Sequence, residues 1–369
     1  MSDLPELKNF ALLHARALGL DPAEAARVRD RITHDGGSDS PGSWVAEWSS
    51  EAAGRELVGD LPGAVSRYLL AAFPYARDLS RARARGLALA AFNRWQRLVP
   101  GIERLVVPMA GGVVTGWATG LDAAVPRPLL IATGGIISPK EQWAPFLQLA
   151  QSLGMAALVT EMPGVGENSL PYDSGSHAMY GSLLDALAGR ADTDRTLLVA
   201  LSFSGHLALR QATVDPRIRG VVTVGAPVSA FFNDPEWWPQ LPQLTRDTLA
   251  HLTGQPLETL FDHVSGWALT PAELSGLDIP VGYVQSLRDE VVPTSDAELL
   301  LRHLHRCEVL AFDDVHGSPA HIDHVRKWIA DQVRTMNGAA PGQGSAVLGT
   351  LSGLDEAAQP RESAEVVSA

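Results

Sequence analysis

Ser202, Asp289 and His316 have the residue types, the chain order and the local settings that acyl-transfer chemistry needs. A serine hydroxyl is a weak nucleophile until a neighbouring base takes its proton. The base in turn needs an acid to hold its tautomer and orientation. Ser202 stands at the end of an apolar run, Leu197 to Leu201, in the text Ala200-Leu201-Ser202-Phe203-Ser204-Gly205, and a helix-like pattern begins at once. That junction has the form of a nucleophile elbow, G-x-S-x-G, in which a sharp strand-to-helix turn lifts the serine oxygen above a sheet. Ala200 and Ser204 replace the two glycines; both are small, as the crowded turn requires.

The acid and the base follow in the order that hydrolase topology uses, serine, then carboxylate, then histidine. Asp289 lies one short turn beyond the strand-like run Val281–Gln285, in Ser286-Leu287-Arg288-Asp289-Glu290-Val291-Val292-Pro293, with Glu290 as the alternative acid. His316 follows the run Glu308–Phe312 in Asp313-Asp314-Val315-His316-Gly317. His321 and His324 compete as the base, but they fall at helical spacing with Trp328 and read as packing or surface residues. An oxyanion also needs donors. The amide of Phe203 is one candidate, and an amide of Gly135 or Ile136, in Thr133-Gly134-Gly135-Ile136-Ile137-Ser138, is the other.

These residues need a scaffold, and the period of the chain changes where one begins. Residues 1–100 carry helical punctuation without a convincing strand, including a helix start at Asp21-Pro22 and amphipathic segments at Ala64–Phe73 and Ser80–Leu98. The arginines of the last segment read as a charged, solvated face. From Ile102 onward short apolar runs alternate with helical segments: Ile102–Pro108, Val113–Thr119, Leu129–Thr133, Met155–Thr160, Thr196–Leu201, Gly220–Val224, Val281–Gln285 and Glu308–Phe312. A helix is expected over Glu141–Leu153. The alternation predicts an α/β fold, a mostly parallel sheet with helices on both faces and chemistry at the carboxyl ends of the strands.

The expected organisation is a helical N-terminal cap at 1–100, a catalytic domain at 101–336 and a disordered tail at 337–369, rich in Gly, Ala, Ser and Glu. Within the catalytic domain, 226–277 reads as a lid insertion. Trp237 and Trp238 there are candidate substrate contacts, against ordinary packing of large aromatics.

Bulk properties narrow the function classes. The chain has 369 residues, 46% hydrophobic and 19% charged, which suits one large domain with additions or about two domains. A formal net charge of −13 argues against nucleic acid or an anionic membrane as the main partner. Cys307 is the one cysteine, so neither an internal disulfide nor a multi-cysteine metal site is expected. The start, MSDLPELKNF, lacks a basic and a long apolar region, and no apolar run nears the roughly 18 residues of a membrane span. A cytoplasmic enzyme acting on a small molecule, with no cofactor and no metal, is the expectation.

Two further segments carry a resemblance. Gly134-Gly135-Ile136-Ile137-Ser138-Pro139-Lys140-Glu141 is similar to the GG-x-x-S-x-KE segment of α/β-hydrolases of the dihydroxypseudooxynicotine hydrolase and fermentation–respiration switch protein group. Glu161-Met162-Pro163-Gly164-Val165-Gly166-Glu167 resembles their D-x-P-G-x-G-E loop, with Glu161 in place of the usual Asp, and Glu103 to Pro108 also looks like theirs. The resemblance spans roughly residues 50–335 and places the triad on Ser202, Asp289 and His316.

It implies an esterase or a hydrolase of ketone-adjacent carbon–carbon bonds, in polyketide or antibiotic metabolism. Tetronate-processing relatives that eliminate acetate imply a lyase as the alternative. A non-catalytic binding protein is a third reading, which the intact triad argues against. The resemblance also implies a homodimer. Lys140 is a candidate for holding an acidic group of the substrate, against a plain pairing with Glu141, and Glu161 is a further candidate contact.

Overall fold

Aliphatic and β-branched runs supply the central strands, since a sheet covered on both faces has no solvent side there to impose alternation. In the computed structural model, which describes residues 3–36, 40–338, 348–351, 353 and 354, the strands are β1 (Ile102–Met109), β2 (Gly112–Thr119), β3 (Pro128–Thr133), β4 (Ala156–Thr160), β5 (Asp192–Ala200), β6 (Ile218–Val224), β7 (Val281–Ser286) and β8 (Cys307–Phe312). They form one sheet in the order β1-β2-β4-β3-β5-β6-β7-β8. The β1–β2 hairpin and the β2–β4 pair are antiparallel, and the remaining pairs are parallel. This is the α/β-hydrolase architecture. Each expected strand is present; β5 starts earlier than Thr196 because Asp192 already pairs with Pro128 across a register shift.

The register brings the carboxyl ends together. Thr133 lies opposite Ala200 and Thr160, Val224 opposite Val284, and Ser286 opposite Phe312. The loops after β3, β5, β6, β7 and β8 therefore leave the sheet along one edge, where open α/β sheets carry their sites.

Among the described residues, five helices precede β1: α1 (Leu4–Ala17), α2 (Pro22–Arg31), α3 (Trp44–Leu57), α4 (Leu61–Ala72) and α5 (Leu79–Gln96). Each starts on a side-chain cap, from Asp3, Asp21, Ser43, Asp60 and Asp78, that accepts an otherwise orphaned backbone N–H. Trp44, Leu70 and Phe92 of this region are buried in the same apolar cluster as Trp117, Leu130 and Val199 of the sheet. The helical region and one face of the sheet thus share a core.

One expectation for these helices fails at Arg81. Its side chain is fully buried, donates to the carbonyl of Phe73 at 3.1 Å and to Asp78 at 2.8 Å, and pairs with Asp35. A buried guanidinium is tolerable only when its donors are satisfied in this way.

The later helices are α6 (Pro145–Ser152), α7 (Ala178–Leu187), α8 (Phe203–Ala212), α9 (Ala230–Asn233), α10 (Gln243–Thr253), α11 (Leu257–Val264), α12 (Pro271–Ser275), α13 (Thr294–His303) and α14 (Ile322–Met336). The helix expected over Glu141–Leu153 is instead a 3₁₀ turn, Lys140–Trp143, followed by α6. Pro145 separates the two, because it lacks an N–H and fits only a first helical turn.

The tail also departs from expectation where it is described. Leu348, Leu351 and Leu354 are 5%, 1% and 1% exposed in the shared core. Three leucines at that spacing give the segment enough apolar surface to be held. The rest of the expected disordered tail, 339–347, 352 and 355–369, lies outside the described residues. Among the described residues, no helix is long and apolar enough to cross a membrane.

Candidate active site

The turn between β5 and α8 fixes Ser202 with φ 57° and ψ −129°. A positive φ in a residue with a β-carbon costs on the order of 1–3 kcal/mol and needs surrounding structure to hold it. Two backbone bonds do so: Leu201 N–H donates to Thr133 at 3.0 Å, and Ser202 N–H donates to Val224 at 2.8 Å. The serine is thereby pinned between β3 and β6. Ala200 is fully buried. Ser204, in the second small position, has its hydroxyl 3.0 Å from the carbonyl of Thr133 and 2.9 Å from that of Leu201, so its extra oxygen is accommodated rather than excluded.

Ser202 Oγ lies 2.9 Å from Nε2 of His316, and Nδ1 of His316 lies 2.9 and 3.0 Å from the two carboxylate oxygens of Asp289. Asp289 is itself fixed: its Oδ1 accepts the N–H groups of Val291 and Val292, each at 2.8 Å. Glu290 has a different place. Its Oε2 accepts the backbone N–H of His316 at 3.0 Å, so it holds the histidine loop rather than the imidazole. The same loop is tied to the end of β7 by the Ser286–Ser318 hydroxyl pair at 2.8 Å.

Burial works to lower the pKa of His316, but the charge and hydrogen bond of Asp289 and the charge of Glu290 outweigh it and raise the value. His321 and His324 stand apart. His321 bonds Asp314 at 3.2 Å and stacks on Phe312 at 4.5 Å, and His324 meets the same ring edge-on.

The segment after β3 crosses directly over the serine. A β-carbon on Gly135 would stand 3.1 Å from Cβ of Ser202, so only a glycine brings the backbone this close without displacement. Ile136 follows it, and both line the same cavity as Ser202. On the other side, Phe203 opens α8, where a backbone N–H has no acceptor within the helix. The arrangement can offer N–H groups from both sides to a negative oxygen attached to the serine's target, with the helix N-terminus adding its favourable dipole.

Ser202 and His316 face a cavity of about 220 Å³. Its walls come from distant parts of the chain: Phe10, Leu13, His14 and Ala17 of α1, Trp143 and Phe146 near α6, Leu244, Thr245 and Thr248 of α10, Ile322 and Arg326 of α14, and residues 348–351. Burial lowers the pKa of His14 to about 4, so this wall carries a neutral imidazole at neutral pH.

Four expected substrate contacts lie elsewhere. Lys140 is 1% exposed and is not on the cavity wall; its Nζ pairs with Glu141 at 3.2 Å, Glu161 at 3.1 Å and Glu167 at 2.8 Å. Burial works to remove its proton, but the three carboxylates outweigh that and raise its pKa. Glu161 is fully enclosed, accepting from the backbone N–H of Lys140 at 3.0 Å and from that of Glu167; burial raises its pKa against the pull of Lys140. A charge cluster this well paired knits the loops after β3 and β4 together and has nothing left for a ligand.

Trp237 and Trp238 are also off the cavity. Their indole N–H groups donate to the carbonyls of Val291 at 2.9 Å and Phe231 at 2.6 Å, and the Trp238 ring packs against Phe231 and Phe261 within the insertion.

Sequence reasoning missed Asp296 and Gly225. Asp296, on α13, is buried and accepts four consecutive backbone N–H groups, Val228 to Phe231, at 2.6 to 3.3 Å, which anchors the start of the 226–277 insertion. Gly225, at φ 58°, forms the floor beneath the Asp289–His316 pair. The only signal for either was position, a glycine just past a strand and an acid in the first turn of a helix. Among the described residues, no group of three or more His, Cys, Asp or Glu side chains is placed to hold a metal ion.

The Esterase FrsA-like family pattern matches residues 19–333. Esterase FrsA of Vibrio cholerae serotype O1 is 25% identical over 317 residues, 76% of either chain. Its counterpart in Citrobacter koseri is 28% identical over 269 residues, 64% of either chain. Of solved structures, AbyA5 is 51% identical with a TM-score of 0.89, covering 95% of this chain and 99% of its own. The 2,6-dihydroxy-pseudo-oxynicotine hydrolase shares the fold at 20% identity, with a TM-score of 0.70 over 92% of this chain and 98% of its own.

Proposed function

This chain belongs to the FrsA-like esterase family, and from the geometry of its site we propose that Ser202 is the nucleophile of its hydrolase reaction. Ser202 Oγ attacks the carbonyl carbon as His316 Nε2 takes its proton, and Asp289 stabilises the imidazolium. Negative charge on the carbonyl oxygen falls to the N–H groups of Phe203 and of Gly135 or Ile136. His316 then gives its proton to the leaving group. Water, deprotonated by the same imidazole, releases the acyl group from Ser202. The observation that carries the proposal is the unbroken chain from Ser202 through His316 to Asp289, at 2.9 Å and 2.9–3.0 Å, opening on a largely apolar cavity.

The cavity supports a bulky, mostly apolar small molecule as substrate, cleaved at an ester or at a carbon–carbon bond beside a ketone. The family resemblance supports a place in polyketide or antibiotic metabolism. The test is labelling by a fluorophosphonate together with turnover of a panel of acyl esters, comparing the natural chain with Ser202→Ala. Loss of both in the variant is the expected outcome; turnover that survives without Ser202 sinks the nucleophilic mechanism.

A second reading is elimination. His316 itself lines the cavity, so a substrate C–H lying beside Ser202 has a base at hand. His316 would take that proton, the carbon–oxygen bond to an acetyl group would break, and acetate would leave with an alkene as the other product. Appearance of acetate with an alkene, and no acyl group on Ser202, selects this reading.

A further inference from the structure

The family match ends at residues 19 and 333, yet two segments outside it wall the cavity: α1 and residues 348–351. Both are firmly seated. At the start of α1, Glu6 Oε1 accepts the N–H of Leu244 in α10 at 3.3 Å. At its end, the carbonyl of Ala17 accepts from Arg326 of α14 at 2.6 Å.

The 348–351 segment rests on the turn that follows α1. Gly19 has φ 85°, and a β-carbon there would stand 2.5 Å from Oγ1 of Thr350. Thr350 closes its own turn by accepting the N–H of Gly353, at 3.1 Å on Oγ1 and 3.2 Å on the carbonyl. Leu348 and Leu351 are 5% and 1% exposed. The fit is that of a built wall, made of two segments that lie more than 300 positions apart in the sequence.

The chemistry of this wall is mostly apolar, with the neutral imidazole of His14 and Thr350 among its aliphatic and aromatic groups. Phe10, Leu13 and Ala17 contribute from one segment and Leu348 and Leu351 from the other. Arg326 also reaches the cavity, but its guanidinium is engaged with the Ala17 carbonyl and, at 3.3 Å, with Asp323. Burying an unpaired charge or hydroxyl of a ligand against such a surface costs free energy, whereas an alkyl or alicyclic group gains from it.

We propose that α1 and residues 348–351 are the specificity wall of this enzyme, with Leu13 and Leu351 limiting the size of the apolar group carried by the substrate. The family-matched body supplies the reacting groups, and the two outlying segments decide what fits against them. The proposal rests on Ser202 being the nucleophile, so its test is built to fail separately from that reading.

In the full-length chain, Leu351→Ala deepens the wall and Leu13→Trp fills it. Labelling rates are measured with two fluorophosphonates, one carrying an ethyl group and one a decyl chain. The decyl-to-ethyl rate ratio should rise about tenfold in Leu351→Ala and fall about tenfold in Leu13→Trp, the scale that pocket size commonly sets. A ratio unchanged in both variants, or ethyl and decyl rates that move in parallel, overturns the proposal. If the natural chain reacts with neither probe, the nucleophile reading has failed, and binding of the neutral dye N-phenyl-1-naphthylamine decides the wall instead. Weakened binding in Leu13→Trp but not in Leu351→Ala upholds it, and equal binding in both overturns it.

Discussion

A β-carbon on Gly225 would stand 2.8 Å from Cε1 of His316 and 3.1 Å from its Nδ1. The imidazole and its carboxylate partner thus rest directly on the backbone that follows β6, and that backbone has φ 58°, where side chains are disfavoured. Gly225→Ala is therefore expected to displace His316 from Ser202. A shift of about 1 Å in a reacting group costs on the order of 10²-fold in rate, so kcat should fall by that much with little change in KM. Steady-state kinetics on a small acyl ester measures it; a variant with unaltered kcat would show that the pair does not depend on this floor.

The pH profile should report His316. Asp289 and Glu290 raise its pKa in spite of burial, and only its neutral form accepts the serine proton. Activity is thus expected to decline as pH drops through a value above 6.5. Glu290→Gln keeps an acceptor for the His316 N–H, found at 3.0 Å, but removes the charge, so the acidic limb of kcat/KM should move to lower pH. A limb that stays in place would remove Glu290 from the electrostatics of the site. The same raised pKa has a linked effect on folding: its contribution is complete below the unfolded value near 6.5 and disappears as pH rises through the folded value.

His14 gives the opposite sign. Burial lowers its pKa to about 4, so the unfolded chain binds the extra proton first as pH falls. The contribution of this neutral histidine is complete above about 6.5 and is lost toward pH 4, amounting to roughly 3 kcal/mol at about 1.4 kcal/mol per unit. His206, lowered to about 3 by burial and then by the Arg210 charge, adds a loss in the same direction. His14→Leu should therefore shrink, without abolishing, the difference between urea midpoints at pH 7 and pH 4.5. An undiminished difference would mean that His14 does not titrate as a buried group.

Lys140 is expected to act on stability rather than on substrate. Lys140→Met would leave Glu141 and Glu161, 4% and 0% exposed, without their cation. Breaking a buried pair from one side costs about 3–5 kcal/mol. Urea denaturation should show a loss of that size, while KM measured at low temperature on the folded protein stays unchanged. A raised KM with unaltered stability would return Lys140 to the substrate.

Much of the fold was legible because its information is local. Val, Leu and Ile runs such as Leu129–Thr133 and Gly220–Val224 become strands wherever they are covered on both faces, and Asp21-Pro22 caps a helix with its own side chain. Ser202, Asp289 and His316 were legible because each follows a strand directly, and parallel strands end along one edge. Trp237 and Trp238 were misread because an irregular insertion has no period from which to tell an inward face from a buried one. Their indoles proved to serve backbone carbonyls. Residues 348–351, 353 and 354 were misread because three leucines among small and polar residues look like a tail until a surface exists to receive them.

By itself, the sequence determined the alternation of elements, the small residues around Ser202 and the order of the three groups that meet there. These follow from steric size, hydrogen-bonding capacity and side-chain period, which act over a few residues. The tertiary structure alone decided that His316 reaches Ser202 at 2.9 Å, that Gly225 must lie under the imidazole, and that Lys140 is enclosed by carboxylates. It also decided that residues near the two extremes of the described chain meet over one cavity. Each of these depends on distances between elements far apart in the chain, and such distances are set by how the whole core packs.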